Sequence, residues 1–383
     1  MLSNYRIDIC WIIKIINDMK TKRFKFQFEH LLNSTFWSSN STQEEYNKVW
    51  NDINDIIRPN IPPLLYRFRR CSDRSIISFE RGQISTCVAE TFKDKYDSNI
   101  FVDKNLLEST LKSYFDLGVI KALYDSKEDG SLYSMIEPVI GKDLTEEFRK
   151  LSLNTPDEQK LQMLNYGYWE QFLENIKRII DFQVDYIRKD KFTKVACFTE
   201  NIQSKSMWDL YADGYSGFAL GYDFRHFHEK GCSNCLKMDC NYEQRNYSSI
   251  FPVIYSNTRY NATNEVMCLV LRQLVSSMFE KGESFIPPIN QLHWYKSYLF
   301  KEKKEYQREK EWRLICRFPN RNDENYTDLP DCGCLKSIYY GPDIDKYYKI
   351  HLRDVAKLHK IKEFDVSIDE NSQKYKLKIT PIS

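Results

Sequence analysis

Two glutamates, Glu309 and Glu311, lie directly before an apolar segment, 312–316, that has the composition of a buried strand. On an extended backbone, side chains two residues apart point to the same side, so both carboxylates are expected to face one cleft. Such a pair can stabilise a cationic transition state and align a hydroxyl nucleophile. The spacing alone is more often that of two solvated acids at a helix end, and the run KEKKEYQREKE has the mixed charges of an exposed helical face.

Arg67 is the second candidate, since it alternates with Tyr66 and Phe68 in a β-like segment over 64–69. An arginine that points inward from a strand needs an anion nearby, because its charge is costly to bury alone. That anion is either a structural carboxylate, which is the more common case, or the phosphate of a ligand.

Trp208 and Tyr211 form the third candidate. They are three residues apart in a predicted helix over 205–213, so they share one face. Aromatic residues in this arrangement usually pack in a core, and the alternative is stacking on a flat ligand ring.

A cysteine cluster at Cys232, Cys235 and Cys240 follows His226 and His228. Thiolates and imidazoles at such spacing can close a tetrahedral zinc site. No second pair has the spacing of a zinc finger, and Cys240 falls in a predicted strand, which favours incidental thiols. We therefore predict no metal and keep zinc as an alternative.

Composition limits the class of protein. The chain has 383 residues and a formal net charge of +2, with 56 Lys and Arg against 54 Asp and Glu. This balance argues against a polyanion-binding surface, which relies on clustered excess cations. With 42% hydrophobic and 15% aromatic residues, the chain can bury a large core and is not globally disordered. The sequence also lacks a Gly-rich phosphate loop, His-Glu-x-x-His and Gly-x-Ser-x-Gly, which argues against P-loop NTPases, zincins and ordinary α/β hydrolases.

The cysteines indicate the compartment. The chain has 11, an odd number, and most stand singly in apolar runs, as Cys197 does. This pattern is typical of reduced thiols and predicts a cytoplasmic location. No run approaches the roughly 20 apolar residues of a membrane span, so we expect no membrane association.

The order of predicted elements indicates an α+β protein, because strands and helices do not alternate regularly. We predict a helical N-terminal extension over 1–60 and an α+β core over 61–383, with 103–192 as a helical insertion or cap. The other predicted strands are 83–88, 194–199, 217–223, 236–242, 312–317, 335–340, 363–368 and 374–379, and the other predicted helices are 73–81, 205–213, 263–281, 291–308 and 343–358.

Several motifs together resemble a bacterial family, the domain of unknown function numbered twenty-nine seventy-one. The similar segments run from about residue 64 to the C-terminus, outside the N-terminal 60 residues and the helical stretch, and the family name conveys no activity. They are Leu65–Arg69, Phe92–Asp97, Cys197–Thr199, Met207–Asp213, Gly217–Asp223, Glu309–Leu314 and Ile338–Gly341.

A weaker resemblance supplies a mechanism. The order of Arg67, then Ser85 with Thr86, then Glu309-x-Glu311 is similar to that in ADP-ribosyltransferases of the Arg-Ser-Glu type, although Cys follows Thr86 where that pattern has Ser. The resemblance implies a split β-sheet core that takes NAD as its substrate.

The same resemblance assigns roles. Glu311 would hydrogen-bond the ribose and stabilise the oxocarbenium-like state, and Glu309 would orient the acceptor. Arg67 would pair with the phosphate or ribose side of NAD. The remaining residues implied at the NAD site are Tyr66, beside Arg67, Ser85 and Thr86 at the nicotinamide ribose, and Trp208 or Tyr211 over the nicotinamide.

We therefore expect an NAD-utilising, ADP-ribosyltransferase-like protein or NAD glycohydrolase, and by analogy a bacterial toxin or antiviral defence effector that modifies an unidentified macromolecule. The helical segments would contact a protein partner or regulate the core. One alternative is a non-enzymatic sensor or protein-binding module. Another is a metal-dependent nucleic-acid enzyme, with Asp94, Asp97, Glu309 and Glu311 around a hard cation.

Overall fold

The computed structural model of the chain describes residues 23–34, 36–37, 42–115, 117–140, 142–155, 166–188, 190–225, 248–278, 289–290, 292–318, 324–374 and 376–382. The predicted strand 236–242 and the cysteine cluster of Cys232, Cys235 and Cys240 lie outside these residues.

The described elements agree with the mixed composition predicted from the sequence. The helices are α1 (23–34), α2 (Gln43–Ile57), α3 (Asp73–Glu80), α4 (Lys104–Phe115), α5 (Leu117–Asp125), α6 (Ser131–Ile140), α7 (Lys142–Asn154), α8 (Tyr166–Arg188), α9 (Lys205–Tyr211), α10 (Thr263–Met278), α11 (His293–Lys296), α12 (Lys303–Tyr306) and α13 (Lys346–His359). The strands are β1 (Phe36–Trp37), β2 (Leu65–Arg69), β3 (Gln83–Cys87), β4 (Thr193–Thr199), β5 (Phe218–Tyr222), β6 (Ser248–Pro252), β7 (Ile254–Ser256), β8 (Ile289–Asn290), β9 (Phe300–Glu302), β10 (Glu311–Arg317), β11 (Tyr326–Pro330), β12 (Leu335–Tyr340), β13 (Lys362–Ile368) and β14 (Leu377–Pro381). Among the described helices, none combines the length and the apolar character that crossing a membrane requires.

Ten of the described strands form one mixed sheet. Its order is β11–β3–β4–β2–β5–β12–β13–β14, with β10 paired to β4 and β6 paired to β10. The ladder between β12 and β13 is parallel, and β4, β5 and β10 are buried along almost their whole length. Apolar strands of this kind need cover on both faces, which the helices provide. The prediction of a mixed fold of strands and helices is thus confirmed.

Strand β4 is central to the candidate site because three other strands pair with it. β10 pairs with it along its full length, from Thr193 to Thr199. β2 pairs with it only between Tyr66 and Thr199, and β3 only between Cys87 and Val195. Strands β2 and β3 therefore meet β4 at different points along it, which leaves room for a cavity between them.

The N-terminal helices pack on this sheet. The ring of Phe24 in α1 stacks on Trp312 in β10, with centroids 6.2 Å apart. Helix α2 begins with a capping box, in which Glu45 N donates to Thr42 Oγ1 at 3.2 Å and Thr42 N donates to Glu45 Oε2 at 2.9 Å. The described part of segment 1–60 is thus mainly helical and shares the main hydrophobic core.

The predicted insertion, 103–192, is helical over α4 to α8 and carries a second hydrophobic core. Buried residues of this core include Leu107 and Leu111 of α4, Ile180 of α8 and Val266 of α10. Because α10 lies outside the predicted insertion, the core joins these helices to the rest of the chain through packing.

The prediction of one charged helix over 291–308 is wrong. This segment forms α11, then β9, then α12 and a 3₁₀ turn over Gln307–Glu309. Strand β9 pairs in parallel with β7, and its central residue, Lys301, is buried. The run of mixed charges therefore marks a buried ion-pair network at this point, and not a solvated helix face.

Candidate functional site

A cavity of about 400 Å³ opens where β2 and β3 diverge along β4. Its size lies within the range of pockets that bind small molecules. The lining residues are Tyr66, Arg67, Phe68, Arg69, Cys87, Thr91, Phe92, Lys93, Asp94, Asp97, Val195, Cys197, Phe198, Met207, Leu210, Tyr211, Lys301, Tyr306, Glu309 and Glu311.

Both predicted carboxylates line this cavity, but they reach it by a turn. Glu309 ends a 3₁₀ turn, Lys310 has left-handed backbone angles of φ 46° and ψ 54°, and Glu311 is the first residue of β10. Glu309 and Glu311 therefore line the same cavity as expected, but a turn at Lys310 places them there and not an extended backbone.

Lys301 joins the two carboxylates. Its Nζ donates to Glu309 Oε2 at 2.7 Å and to Glu311 Oε2 at 2.8 Å, and it lies 3.8 Å from Asp97 Oδ2. All four side chains are nearly buried, so little water screens these interactions.

Arg313 holds the same network from within the core, where it is fully buried. Its Nε donates to Glu311 Oε1 at 2.7 Å, and its Nη1 and Nη2 donate to the Asp97 carboxylate at 2.8 and 2.6 Å. Both oxygens of Glu311 are thus paired with a cation. The backbone N–H of Glu311 also donates to the hydroxyl of Tyr255 at 2.8 Å, which fixes the start of β10.

The two carboxyl groups have pKa values shifted in opposite directions. Burial favours the neutral form of Glu311, but Arg313 and Lys301 outweigh burial and hold its pKa well below the usual range. Burial raises the pKa of Glu309, and Lys301 offsets this only in part. A pair of carboxyl groups separated in this way is suited to different roles, one permanently ionised and one able to exchange a proton.

Arg67 enters the cavity from β2 with an unsatisfied group. Its Nη1 is buried and has no hydrogen-bond partner among the described residues, and its guanidinium carbon lies 5.6 Å from the ring centroid of Phe198. Burial lowers the pKa of Arg67, and burial together with the charge of Arg67 lowers that of Arg69 to about 9. In the part of the chain that the structure describes, no carboxylate forms an ion pair with Arg67, so the alternative of a ligand anion stays open.

Ser85 and Thr86 lie outside the cavity lining, unlike their neighbour Cys87. The Ser85 hydroxyl donates to Asp328 Oδ1 at 2.6 Å, and the Thr86 hydroxyl donates to the backbone oxygen of Thr327 at 2.7 Å. Both hydroxyls thus tie β3 to its neighbour β11.

The two aromatic residues of α9 separate in the same way. Trp208 is fully buried, packs edge-on against Phe68 at 4.9 Å, and donates from Nε1 to the backbone oxygen of Ile202 at 2.8 Å. Tyr211 lines the cavity and is 42% exposed. Trp208 therefore has a core position, whereas Tyr211 can contact a ligand directly.

The sequence did not indicate the parts played by Lys301, Arg313 and Cys197. Cys197 lines the cavity, and burial followed by the charge of Glu311 holds its pKa well above the usual range, so the thiol stays protonated. The motif Cys197–Thr199 included this residue, but nothing in the motif indicated that its thiol would line a cavity. Arg313 follows the second glutamate by two residues, and this spacing was the available signal for it.

The carboxylates suggested for a hard cation have cationic neighbours in this structure. Lys301 and Arg313 form ion pairs with Asp97, Glu309 and Glu311. Over the described ranges, no group of three or more His, Cys, Asp or Glu side chains is arranged to hold a metal ion.

Comparison with known proteins identifies one family. Residues 207–314 match the model of the family described as Protein of unknown function (DUF2971). A search of curated proteins and a search of solved structures gave no match. The matched segment begins at Met207 in α9 and ends at Leu314 in β10, and thus includes Tyr211, Lys301 and both glutamates of the cavity. Residues 207–314 are thus similar to the family that the motifs predicted. The motifs Met207–Asp213, Gly217–Asp223 and Glu309–Leu314 fall within the match, and the motifs before residue 207 and after residue 314 fall outside it.

Proposed function

We propose that the cavity binds NAD and that the protein is an ADP-ribosyltransferase-like enzyme, which transfers ADP-ribose to a macromolecular acceptor or to water. One observation carries the proposal: a guanidinium with an unsatisfied buried nitrogen, on Arg67, lines the same cavity as Glu309 and Glu311. This arrangement offers a cation for a phosphate and carboxylates for a cationic sugar.

The anionic half of the ligand would pair with Arg67. A buried guanidinium nitrogen without an acceptor is costly, and a phosphate oxygen supplies a strong, charge-assisted hydrogen bond. Arg69 lines the same cavity and adds a second cation beside it.

The carboxylates would act at the other half. When the bond between ribose C1′ and the nicotinamide nitrogen breaks, its electron pair leaves with nicotinamide and C1′ becomes cationic. With Glu309 ionised, the network of Asp97, Glu309, Glu311, Lys301 and Arg313 holds three carboxylates against two cations, so one net negative charge faces that cation. Ionised Glu311 would stabilise the cationic sugar as nicotinamide departs.

Glu309 would complete the transfer. The oxygen of an acceptor hydroxyl, or of water, forms the new bond to C1′ and loses its proton to the Glu309 carboxylate. The raised pKa of Glu309 suits this role, because a stronger base accepts the proton more readily. A role as toxin or antiviral effector and a cytoplasmic location remain predictions from the sequence.

The test is incubation of the full chain with NAD and detection of free nicotinamide by chromatography. We expect release by the natural chain and loss of release in Glu311→Gln. As a matched control, Glu305→Gln removes an exposed carboxylate from the same charged run and should leave release unchanged. Absence of nicotinamide release from the folded natural chain, with candidate acceptor extracts present, would overturn the proposal.

A further inference from the structure

A second cavity, of about 670 Å³, lies on the other side of Lys301. Lys301 lines both cavities, and its charge is already directed at Glu309 and Glu311. A ligand in the second cavity would therefore be recognised by the other lining residues, because the Lys301 ammonium is already paired. Its size is within the range for a small organic ligand.

Flat side chains form one wall of this second cavity. The rings of Tyr260 and Phe300 stack with centroids 5.1 Å apart and 22° between their planes. Phe101 is 40% exposed, and the guanidinium carbon of Arg259 lies 5.8 Å from its ring centroid. Tyr260 itself is buried: its hydroxyl is bound to Glu265, Phe300 stacks on its ring, and the ammonium of Lys296 lies 4.8 Å from its centroid. The rings left for a ligand on this wall are those of Phe101 and Phe300. Such a wall favours a planar heterocycle, which gains by stacking.

Asn99 supplies a specific requirement. It lines the second cavity, and its Oδ1 is buried without a hydrogen-bond partner among the described residues. Its Nδ2 donates to the backbone oxygen of Lys95 at 3.3 Å, which fixes which end of the amide is the acceptor. A buried acceptor of this kind calls for an N–H group on the ligand.

We propose that the second cavity binds a purine nucleoside whose base carries an exocyclic amino group, with the base on the aromatic wall and the amino group donating to Asn99 Oδ1. This assignment goes beyond the proposed reaction and does not depend on it. The shared chemistry is the aminopurine, which reaches the protein either as a free nucleoside or as the adenine end of a dinucleotide.

The test compares two ligands on the natural chain by isothermal titration calorimetry. Adenosine and purine riboside differ only in the amino group, so we expect adenosine to bind about tenfold more tightly, as one hydrogen bond to a buried acceptor provides. Equal affinity of the two ligands, or no binding of adenosine, would overturn the proposal. This comparison needs no variant and is therefore free of folding effects.

A variant pair assigns the discrimination to Asn99. In Asn99→Ala the two ligands should bind equally, whereas Asn325→Ala, at an exposed position outside the cavity, should keep the tenfold difference. Retained discrimination in a folded Asn99→Ala protein contradicts the assignment. Titration of adenosine in saturating NAD then distinguishes the sources: competition indicates the adenine end of the dinucleotide, and simultaneous binding indicates a separate nucleoside.

Discussion

The ammonium nitrogen of Lys301 lies 2.8 Å from Oε2 of Glu311, and both side chains are nearly excluded from solvent. This contact makes Lys301 the wall between two cavities and the counterion of the carboxylate on which the proposed chemistry depends. Any substitution in the pair therefore changes both stability and the electrostatics of the cavity.

Glu311→Gln should lower both the free energy of unfolding and NAD turnover, and comparison with a matched variant distinguishes the two effects. Removing one charge from a buried network leaves Arg313 and Lys301 underpaired, so we expect a loss of about 3 kcal/mol in the free energy of unfolding. We expect NAD turnover to fall by about 10²–10³-fold. Urea denaturation and nicotinamide release measure the two effects.

Asp97→Asn is the matched variant, because Asp97 pairs with the same Arg313 at 2.6 Å. It should lose similar stability but lower turnover less than Glu311→Gln does, because it also removes the net negative charge of the network and yet leaves the ionised Glu311 carboxylate in place. An equal loss of turnover in both folded variants would show that the network as a whole matters, and not the carboxylate of Glu311.

The pH dependence of stability should carry opposite contributions from the two glutamates. The pKa of Glu311 is lowered by folding, so the folded state binds fewer protons and the stabilisation is present above about pH 4.5 and lost as the pH falls toward the folded pKa. The pKa of Glu309 is raised, so its contribution declines as the pH rises from about 4.5 through the folded pKa. Urea titrations across pH of Glu311→Gln and Glu309→Gln should therefore change the slope in opposite senses, and a shared direction would contradict the assignment.

Glu309 should set the acid limb of the transfer rate. It must be ionised to accept a proton, and its pKa is raised above the ordinary value of 4.5, so activity should be lost at a higher pH than for an ordinary glutamate. Glu309→Gln should slow turnover by about 10²-fold and remove this limb from a plot of kcat/KM against pH. An unchanged acid limb in the variant would exclude Glu309 as the base.

Arg67→Met should weaken NAD binding without weakening the fold. The loss of a charge-assisted hydrogen bond predicts about a 10- to 100-fold rise in Kd. Stability should be unchanged or higher, since a buried cation with an unsatisfied nitrogen is replaced by an apolar group. Arg70→Met, on an exposed neighbour, is the control for calorimetry and thermal melting. A destabilised variant with unchanged NAD affinity would instead mark Arg67 as structural.

The two aromatic residues of α9 should respond differently. Trp208→Phe leaves the backbone oxygen of Ile202 without its donor in the core, so we expect a loss of about 1–3 kcal/mol in stability and no change in the KM for NAD. Tyr211→Ala removes a partly exposed cavity residue, so KM should rise while stability changes little. A raised KM in Trp208→Phe alone would reverse these roles.

The sequence located the strands of the site well. The segments 64–69, 194–199 and 312–317 were predicted within one residue of β2, β4 and β10, because apolar residues recur along each of them. The resemblance to ADP-ribosyltransferases predicted that Arg67, Ser85 and Glu311 would converge on one cavity. Arg67 and Glu311 line the cavity, and Ser85 lies outside its lining.

Tertiary contacts explain what the sequence did not reveal. The charges around Lys301 have the pattern of a solvated helix, and only their burial against Asp97 and Glu311 makes a strand there favourable. Alternation along β3 separates Ser85 from Thr86 by face but does not state where along the strand the cavity lies. The position of the cavity along β3 depends on where the pairing between β3 and β4 ends, which is at Cys87 and Val195.

The proposed site is assembled from strands that are distant along the chain. Arg67 stands on β2, near one end of the sequence, and Glu311 stands on β10, with β4 as the strand that pairs with both. If the chain were expressed as two halves, divided between β4 and β10, the first half would lack Glu311 and the second would lack Arg67. Only their reassociation through the ladder of β4 and β10 would restore activity, which makes the protein suitable for a complementation assay.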